Sequence, residues 1–146
     1  MCFGPLLMQC TSILLTGKTD DILYIYSIPI GLLTEGILHA NNARDIKADT
    51  KIGAYTLASL IGIEYSYIFY ILLFVGSYVT SIVISLLYHW GCIATLLTLP
   101  LTYSLIKKFK DRDLLILPEE TAQMHLPFGL LLLFGILVTN GGLLQL

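Results

Sequence analysis

Apolar runs of roughly 17 to 23 residues recur along this chain, and about 20 such residues in a helix cross the hydrocarbon core of a bilayer. Inside lipid every backbone N–H and C=O must find its partner within the protein, so runs of this length read as membrane-spanning helices. Composition agrees: 56% of the residues are hydrophobic and 12% charged, with a mean hydropathy of +0.82. Soluble domains carry about 25% charged residues. The chain therefore reads as an integral membrane protein. Its expected fold is all-α, a polytopic transmembrane helical bundle of about five spans forming a single transmembrane domain over residues 1–146.

The spans are expected at residues 2–17, 22–40, 65–87, 91–106 and 125–144. Between the second and third lie a polar loop at 41–53 and a short apolar stretch at 54–62, read as a surface helix. Pro5, Pro29 and Pro100 fall inside spans and Pro127 opens the last, where neighbouring helices tolerate the kinks. No basic segment precedes a discrete apolar core with a small-residue cleavage site, so a removable signal peptide is not expected. Cys2, Cys10 and Cys92 show neither metal nor disulfide spacing and read as small core residues. A formal charge of −2 with no aromatic-basic module sets nucleic acid aside as a partner.

Alternating the five spans puts residues 41–53 and 107–124 on one side of the membrane, and 18–21 and 88–90 on the other. Seven of the eight bases, Arg44, Lys47, Lys51, Lys107, Lys108, Lys110 and Arg112, then share the first side, leaving Lys18 opposite. The positive-inside rule turns that side to the cytosol. One crossing more or fewer between the two basic segments would place them on opposite faces.

The cytosolic segment 41–49, Asn-Asn-Ala-Arg-Asp-Ile-Lys-Ala-Asp, concentrates acids, amides and bases in apolar surroundings. On a helix, Asn41, Asp45 and Asp49 follow an i, i+4, i+8 course within roughly 80° of arc. Arg44, Lys47 and Lys51 flank them. Two carboxylates and an amide beside cations are the mixture that holds a polyanion through a divalent metal. An arbitrary Asp-x-x-x-Asp pattern in a loop is more often merely solvated.

The string Asn41-Asn42-x-Arg44-Asp45-x-x-x-Asp49, followed by Gly53, Thr56-Leu57-Ala58 and Gly62, resembles the second aspartate-rich motif of the UbiA-type prenyltransferase family. Thr34-Glu35 and Ile37-Leu38-His39 before it, and Leu117-Pro118 and Thr121-Ala122 after it, are similar to the menaquinone-making branch of that family in animals. The likeness spans almost the whole chain. It implies the C-terminal part of a nine-span bundle in which two aspartate-rich motifs meet above a cavity and bind an isoprenyl diphosphate through Mg2+; one of the two motifs is present here. Thr50 and Ile52 depart from the family, which commonly has a base directly after the last aspartate and an alanine before the glycine. Lys51 stands in for that base one position along.

The resemblance implies that Asp45 and Asp49 are catalytic, with Asn41, Asp45 and Asp49 at the metal. Asn42, Arg44 and Lys51 are expected on the diphosphate, and Glu35 and His39 are supporting candidates whose alternative is a helix-to-helix hydrogen bond. The implied reaction is Mg2+-dependent isoprenyl transfer to a quinone-type, specifically naphthoquinone, acceptor in menaquinone biosynthesis, in a lipid bilayer. The endoplasmic reticulum or Golgi is expected, with a mitochondrial membrane as the alternative. A non-catalytic membrane module that binds isoprenyl diphosphate or a partner membrane protein, including a second copy, is the competing reading. Ion transport through Asp45 and Asp49 is disfavoured by their interfacial position, since transporter sites lie near the bilayer midplane. Tyr55, Tyr65, Tyr67, Tyr70, Tyr78 and Tyr88 read as interfacial anchors or isoprenoid contacts. Lys107-Lys108-Phe109-Lys110 reads as a topology-setting flank and Glu64 as a helix-end acid.

Overall fold

A computed structural model describes residues 4–139. Among them every regular element is helical. The order is α1 (Pro5–Thr16), α2 (Ile22–Lys51), α3 (Leu57–Leu87), a 3-10 helix (Trp90–Thr98) that runs directly into α4 (Leu99–Lys110), and α5 (Leu117–Thr139). The expected all-α membrane bundle is the architecture observed. Cys2 and residue 3 of the first expected span, and residues 140–144 of the fifth, lie outside the described residues.

Three helices, α2, α3 and α5, are long and apolar enough to cross a membrane. The 3-10 helix and α4 together extend about 36 Å, which also matches the core thickness of about 30 Å. α1 is shorter than its expected span. It ends where Gly17 takes a left-handed φ of 72° and returns its N–H to the Ile13 carbonyl at 2.9 Å. At about 18 Å it falls short of a full crossing. Cys10 faces outward from α1, whereas Cys92 is buried, so of these two only Cys92 is the small core residue expected.

The polar stretch 41–53 is not a loop. α2 continues unbroken to Lys51, and a helix of 30 residues is about 45 Å long, so its last three turns project beyond the hydrocarbon. Nothing in 41–51 stops a helix. The stop comes at Gly53, φ 72°, where the N–H groups of Ile52 and Ala54 both return to the Asp49 carbonyl.

α3 opens on a capping box in which Thr56 Oγ1 accepts from Ser59 N and Ser59 Oγ accepts from Thr56 N. One short turn later Gly62, at φ 75° and ψ 169°, breaks the helix in a conformation open to glycine alone. The surface helix and the following span expected from the sequence thus meet at that residue.

The fourth crossing is not uniform. In a 3-10 helix residues three apart eclipse one another, so Cys92, Thr95 and Thr98 form one buried line, with Thr95 and Thr98 on α3 and Cys92 Sγ toward the Leu132 carbonyl of α5. Ser81 Oγ meets Thr95 Oγ1 at 2.8 Å, and the Tyr78 hydroxyl meets Thr98 and Thr102 at 2.7 Å each. Pro100 sits in the first turn of α4 rather than mid-span, where its missing N–H leaves no intrahelical bond unmade. α5 begins eight residues before the expected start, with Pro118 in its first turn and Glu119 and Glu120 at its positive end. Pro127 lies inside that helix rather than at its opening.

The core gathers Leu33, Tyr70, Phe74, Phe109, Met124 and Phe128 between α2, α3, α4 and α5. At the other end of the bundle from the α2 C-terminus His89 ties three elements together: Nε2 lies 2.6 Å from the Tyr26 hydroxyl and Nδ1 2.9 Å from Thr139 Oγ1. Beside it the backbones of the 3-10 helix and α5 touch at Gly91 and Gly135. A Cβ on Gly135 would stand 2.4 Å from the Gly91 carbonyl carbon and 2.5 Å from Cys92 N. Backbone contact this close admits no side chain.

Gly135→Ala should therefore force the two elements apart and destabilise the fold by about 1–3 kcal/mol. Gly129→Ala is the control, because its Cβ would meet only Ile30 Cδ1 at 3.6 Å. Thermal unfolding in detergent should separate the two variants clearly; equal midpoints would show that the Gly91–Gly135 approach does not limit packing.

Candidate functional site

The projecting end of α2 carries the candidate site. Ala43 is buried in the core at 3% exposure, which turns the opposite face of the helix, that of Asn41, Asp45 and Asp49, away from the bundle. Helical geometry thus sets the three side chains one turn apart on a rigid rod.

Arg44 organises this face. Its Nε and Nη2 donate to the two carboxylate oxygens of Asp45, each at 2.8 Å, and Nη2 also donates to Asn41 Oδ1 at 2.7 Å. The fork-to-carboxylate match is the strongest geometry available to this pair. It holds the Asp45 carboxyl below the ordinary carboxylate range, chiefly through the hydrogen bond from Arg44. A third group arrives from α5, where Glu119 Oε1 stands 3.8 Å from Arg44 Nη1. Asp45 and Arg44 stay partly exposed, so these ion pairs contribute little to stability and instead orient the donors.

Asp49 differs from Asp45. Its carboxylate has no hydrogen-bond or ion-pair partner among the described residues, and neither do the side chains of Asn42, Lys47 and Lys51. One carboxylate is clamped and the next is open. Among the described residues no three His, Cys, Asp or Glu side chains converge as a ready-made metal cage. Magnesium does not need one, since it commonly binds through one or two carboxylates with phosphate oxygens and water completing its shell. Asp45 and Asp49, hard oxygen donors one turn apart, fit that manner of binding, provided the Arg44 fork yields an Asp45 oxygen.

Glu35 and His39 lie deeper on α2. His39 is buried, its Nε2 3.0 Å from the Ser66 carbonyl and its ring edge-on to Phe69 at 4.8 Å, so it joins α2 to α3. That is the helix-to-helix hydrogen bond weighed as its alternative role. Glu35 is half-buried one turn earlier. Tyr70 and Tyr78 are core residues, with the Tyr70 hydroxyl on Thr121 Oγ1 at 2.7 Å, whereas Tyr55 and Tyr65 are exposed as interfacial anchors are. Lys108 of the basic flank pairs with Glu120 and so fastens α4 to α5, while Arg112 in the connection that follows pairs with Glu64 of α3. Glu119 was not legible as a site residue. Its signal, an acid after Pro118 at a helix start, is the ordinary mark of a helix N-terminus.

Residues 1–115 match the sequence model of the UbiA prenyltransferase family. Curated relatives named "UbiA prenyltransferase domain-containing protein 1" include those of Dictyostelium discoideum, 39% identical over 140 residues, and Homo sapiens, 36% identical over 140 residues. The Gallus gallus relative is 34% identical over 142 residues. These alignments take in 95%, 96% and 97% of this chain but 42%, 41% and 43% of the relatives, in the order Dictyostelium discoideum, Homo sapiens, Gallus gallus. The chain thus spans about two-fifths of the length of the curated relatives it matches.

Replacing Arg44 with Gln removes the group that depresses the Asp45 carboxyl. Asp45 should then titrate at a higher pH than in the parent protein, which carboxyl-carbon NMR of aspartate-labelled protein in micelles would detect. An unmoved titration would mean that the fork does not govern Asp45.

Proposed function

This chain belongs to the UbiA prenyltransferase family, and from that premise we propose that it takes part in transferring an isoprenyl group from an isoprenyl diphosphate to a naphthoquinone-type acceptor, in the manner of menaquinone synthesis. The observation that carries the reading is the projecting end of α2, where two carboxylates one turn apart stand beside a guanidinium fork already aligned by Asn41 and Asp45. The chain supplies one aspartate-rich arm of the site, and the complementary arm comes from outside this sequence. The protein is an integral membrane protein, three of its helices being long and apolar enough to span. We assign the α2 extension to the cytosolic side of an endomembrane.

In this reading Asp45 and Asp49 would hold Mg2+, and Asn41 would contribute its carbonyl oxygen. Bound magnesium supplies charge neutralisation for the departing diphosphate. Arg44 lends its fork to phosphate oxygens once an Asp45 oxygen is released, Lys51 acts as a point charge, and Asn42 donates from its amide. The allylic C–O bond breaks, the diphosphate leaves with the electron pair, and a ring carbon of the acceptor forms the new C–C bond and then loses its proton. The apolar spans shelter the isoprenoid and keep water from the allylic cation.

A non-catalytic module that only binds isoprenyl diphosphate, or a partner membrane protein, is favoured by one feature: both Asp45 oxygens are already engaged by Arg44. Turnover decides between the readings. In membranes where the chain is supplied with the complementary arm, Asp45→Asn or Asp49→Asn should lower magnesium-dependent prenylation of a naphthoquinol by about 100-fold or more, with insertion intact. Mass-spectrometric detection of the prenylated product measures this. Unchanged turnover in both variants would overturn the metal assignment, and diphosphate binding without turnover in the parent would favour the module.

A further inference from the structure

On the other side of α2 from Asp49, a cavity of about 520 Å³ opens between the α2 extension, the start of the α3 span and the 111–116 connection. Its walls are apolar, formed by Ala43, Ile46, Ile63, Leu114 and Leu115, and its polar rim is made of three cations, Arg44, Lys47 and Arg112. The volume lies within the range of small-molecule pockets, about 300–1,000 Å³. All three sides belong to this chain.

The charges at the rim do not balance. Arg44 is matched by Asp45, and Arg112 is matched by Glu64 while its Nη1 donates to the Ile63 carbonyl at 3.3 Å. Lys47 has no carboxylate partner among the described residues, although it sits over an apolar wall. Asp111 and Asp113 are on the same connection but do not line the cavity. One positive charge is therefore left at the mouth of an apolar recess, at the level where α2 leaves the hydrocarbon.

We infer that this cavity binds an anionic glycerophospholipid, its phosphodiester on Lys47 at the rim and its glycerol and upper acyl carbons against Ile46, Ile63, Leu114 and Leu115. A phosphodiester carries the single negative charge that Lys47 leaves unmatched. The basic side of the protein is also the side on which the positive-inside count places the anionic leaflet. Arg112 holds the 111–116 connection over the recess by its bonds to Glu64 and Ile63, so a lipid seated there would brace the α2 extension that carries Asp45 and Asp49. A soluble phosphate shares the head-group chemistry but has nothing to place on the apolar wall.

Native mass spectrometry of the full chain, released from bilayers of phosphatidylcholine containing a minor fraction of phosphatidylserine, tests the assignment. The parent protein should retain phosphatidylserine above its bulk fraction. Lys47→Gln should lower that enrichment about fivefold, and Leu114→Trp, which fills the recess, should lower it while helicity is kept. Lys18→Gln on the opposite side should leave it unchanged. Asp49→Asn should retain the lipid whether or not the transferase reading stands, so the two proposals fail separately. Parent-like enrichment in Lys47→Gln would overturn the site, and so would displacement of phosphatidylserine by millimolar inorganic phosphate or pyrophosphate, which would identify a soluble phosphate as the ligand.

Discussion

The difference between two lengths governs this protein. α2 is 30 residues long, about 45 Å of helix, and the hydrocarbon it crosses is about 30 Å thick. The surplus emerges as a stiff, hydrogen-bonded extension rather than a loop. Charged groups that bind poorly inside lipid are thereby set in the aqueous boundary and still held by the rigidity of the span below. Ala43 seats the extension on the core, and the Asp49 carbonyl caps its end. The α3 kink at Gly62 and the connection at 111–116 close around the same extension, so three separate features meet at one end of the bundle.

Within the membrane there is no hydrophobic force between helices, because lipid tails are as apolar as leucine, and the packing depends on close approach and on small polar groups. Both are present. Gly91 and Gly135 bring backbones into contact, and a ladder of hydroxyls runs between α3 and the fourth crossing, from Ser81 and Thr95 to Tyr78, Thr98 and Thr102. The 3-10 geometry of Trp90–Thr98 makes that ladder straight, since only a repeat of three residues per turn aligns Cys92, Thr95 and Thr98. His89 and His39 add one tie near each end of the bundle, so most of the polar side chains in the spans serve cohesion.

The electrostatics of the α2 extension are asymmetric in a way that suits exchange of partners. Asp45 is held by Arg44, whereas the Asp49 carboxylate is open among the described residues. In the proposed reaction a cation entering at Asp49 would compete with Arg44 for Asp45, and the released guanidinium would have phosphate oxygens or Glu119 to receive it. In the proposed reaction the same arginine that pairs with Asp45 would be positioned to meet a diphosphate.

Much of this was legible in the sequence because the bilayer imposes it. The apolar runs located the helices, and the sorting of seven bases put segments 41–53 and 107–124 on one side, in keeping with the meeting of Arg44 and Glu119 at one end of the bundle. The i, i+4, i+8 spacing of Asn41, Asp45 and Asp49 placed them on one face once the segment was helical. What the sequence could not decide depends on contacts between residues far apart in the chain. A polar stretch such as 41–51 reads equally as loop or helix; the packing of Ala43 against the core and the Arg44–Asp45–Asn41 network accompany the helix seen. Likewise α5 begins at Leu117 rather than at Pro127, and its first turns are packed by distant residues: Leu117 is buried in the core and Thr121 meets the Tyr70 hydroxyl. Composition and period determine elements along a chain, while only the tertiary structure decides which charges meet, since a hydrogen bond depends on positions to a few tenths of an ångström that no local pattern encodes.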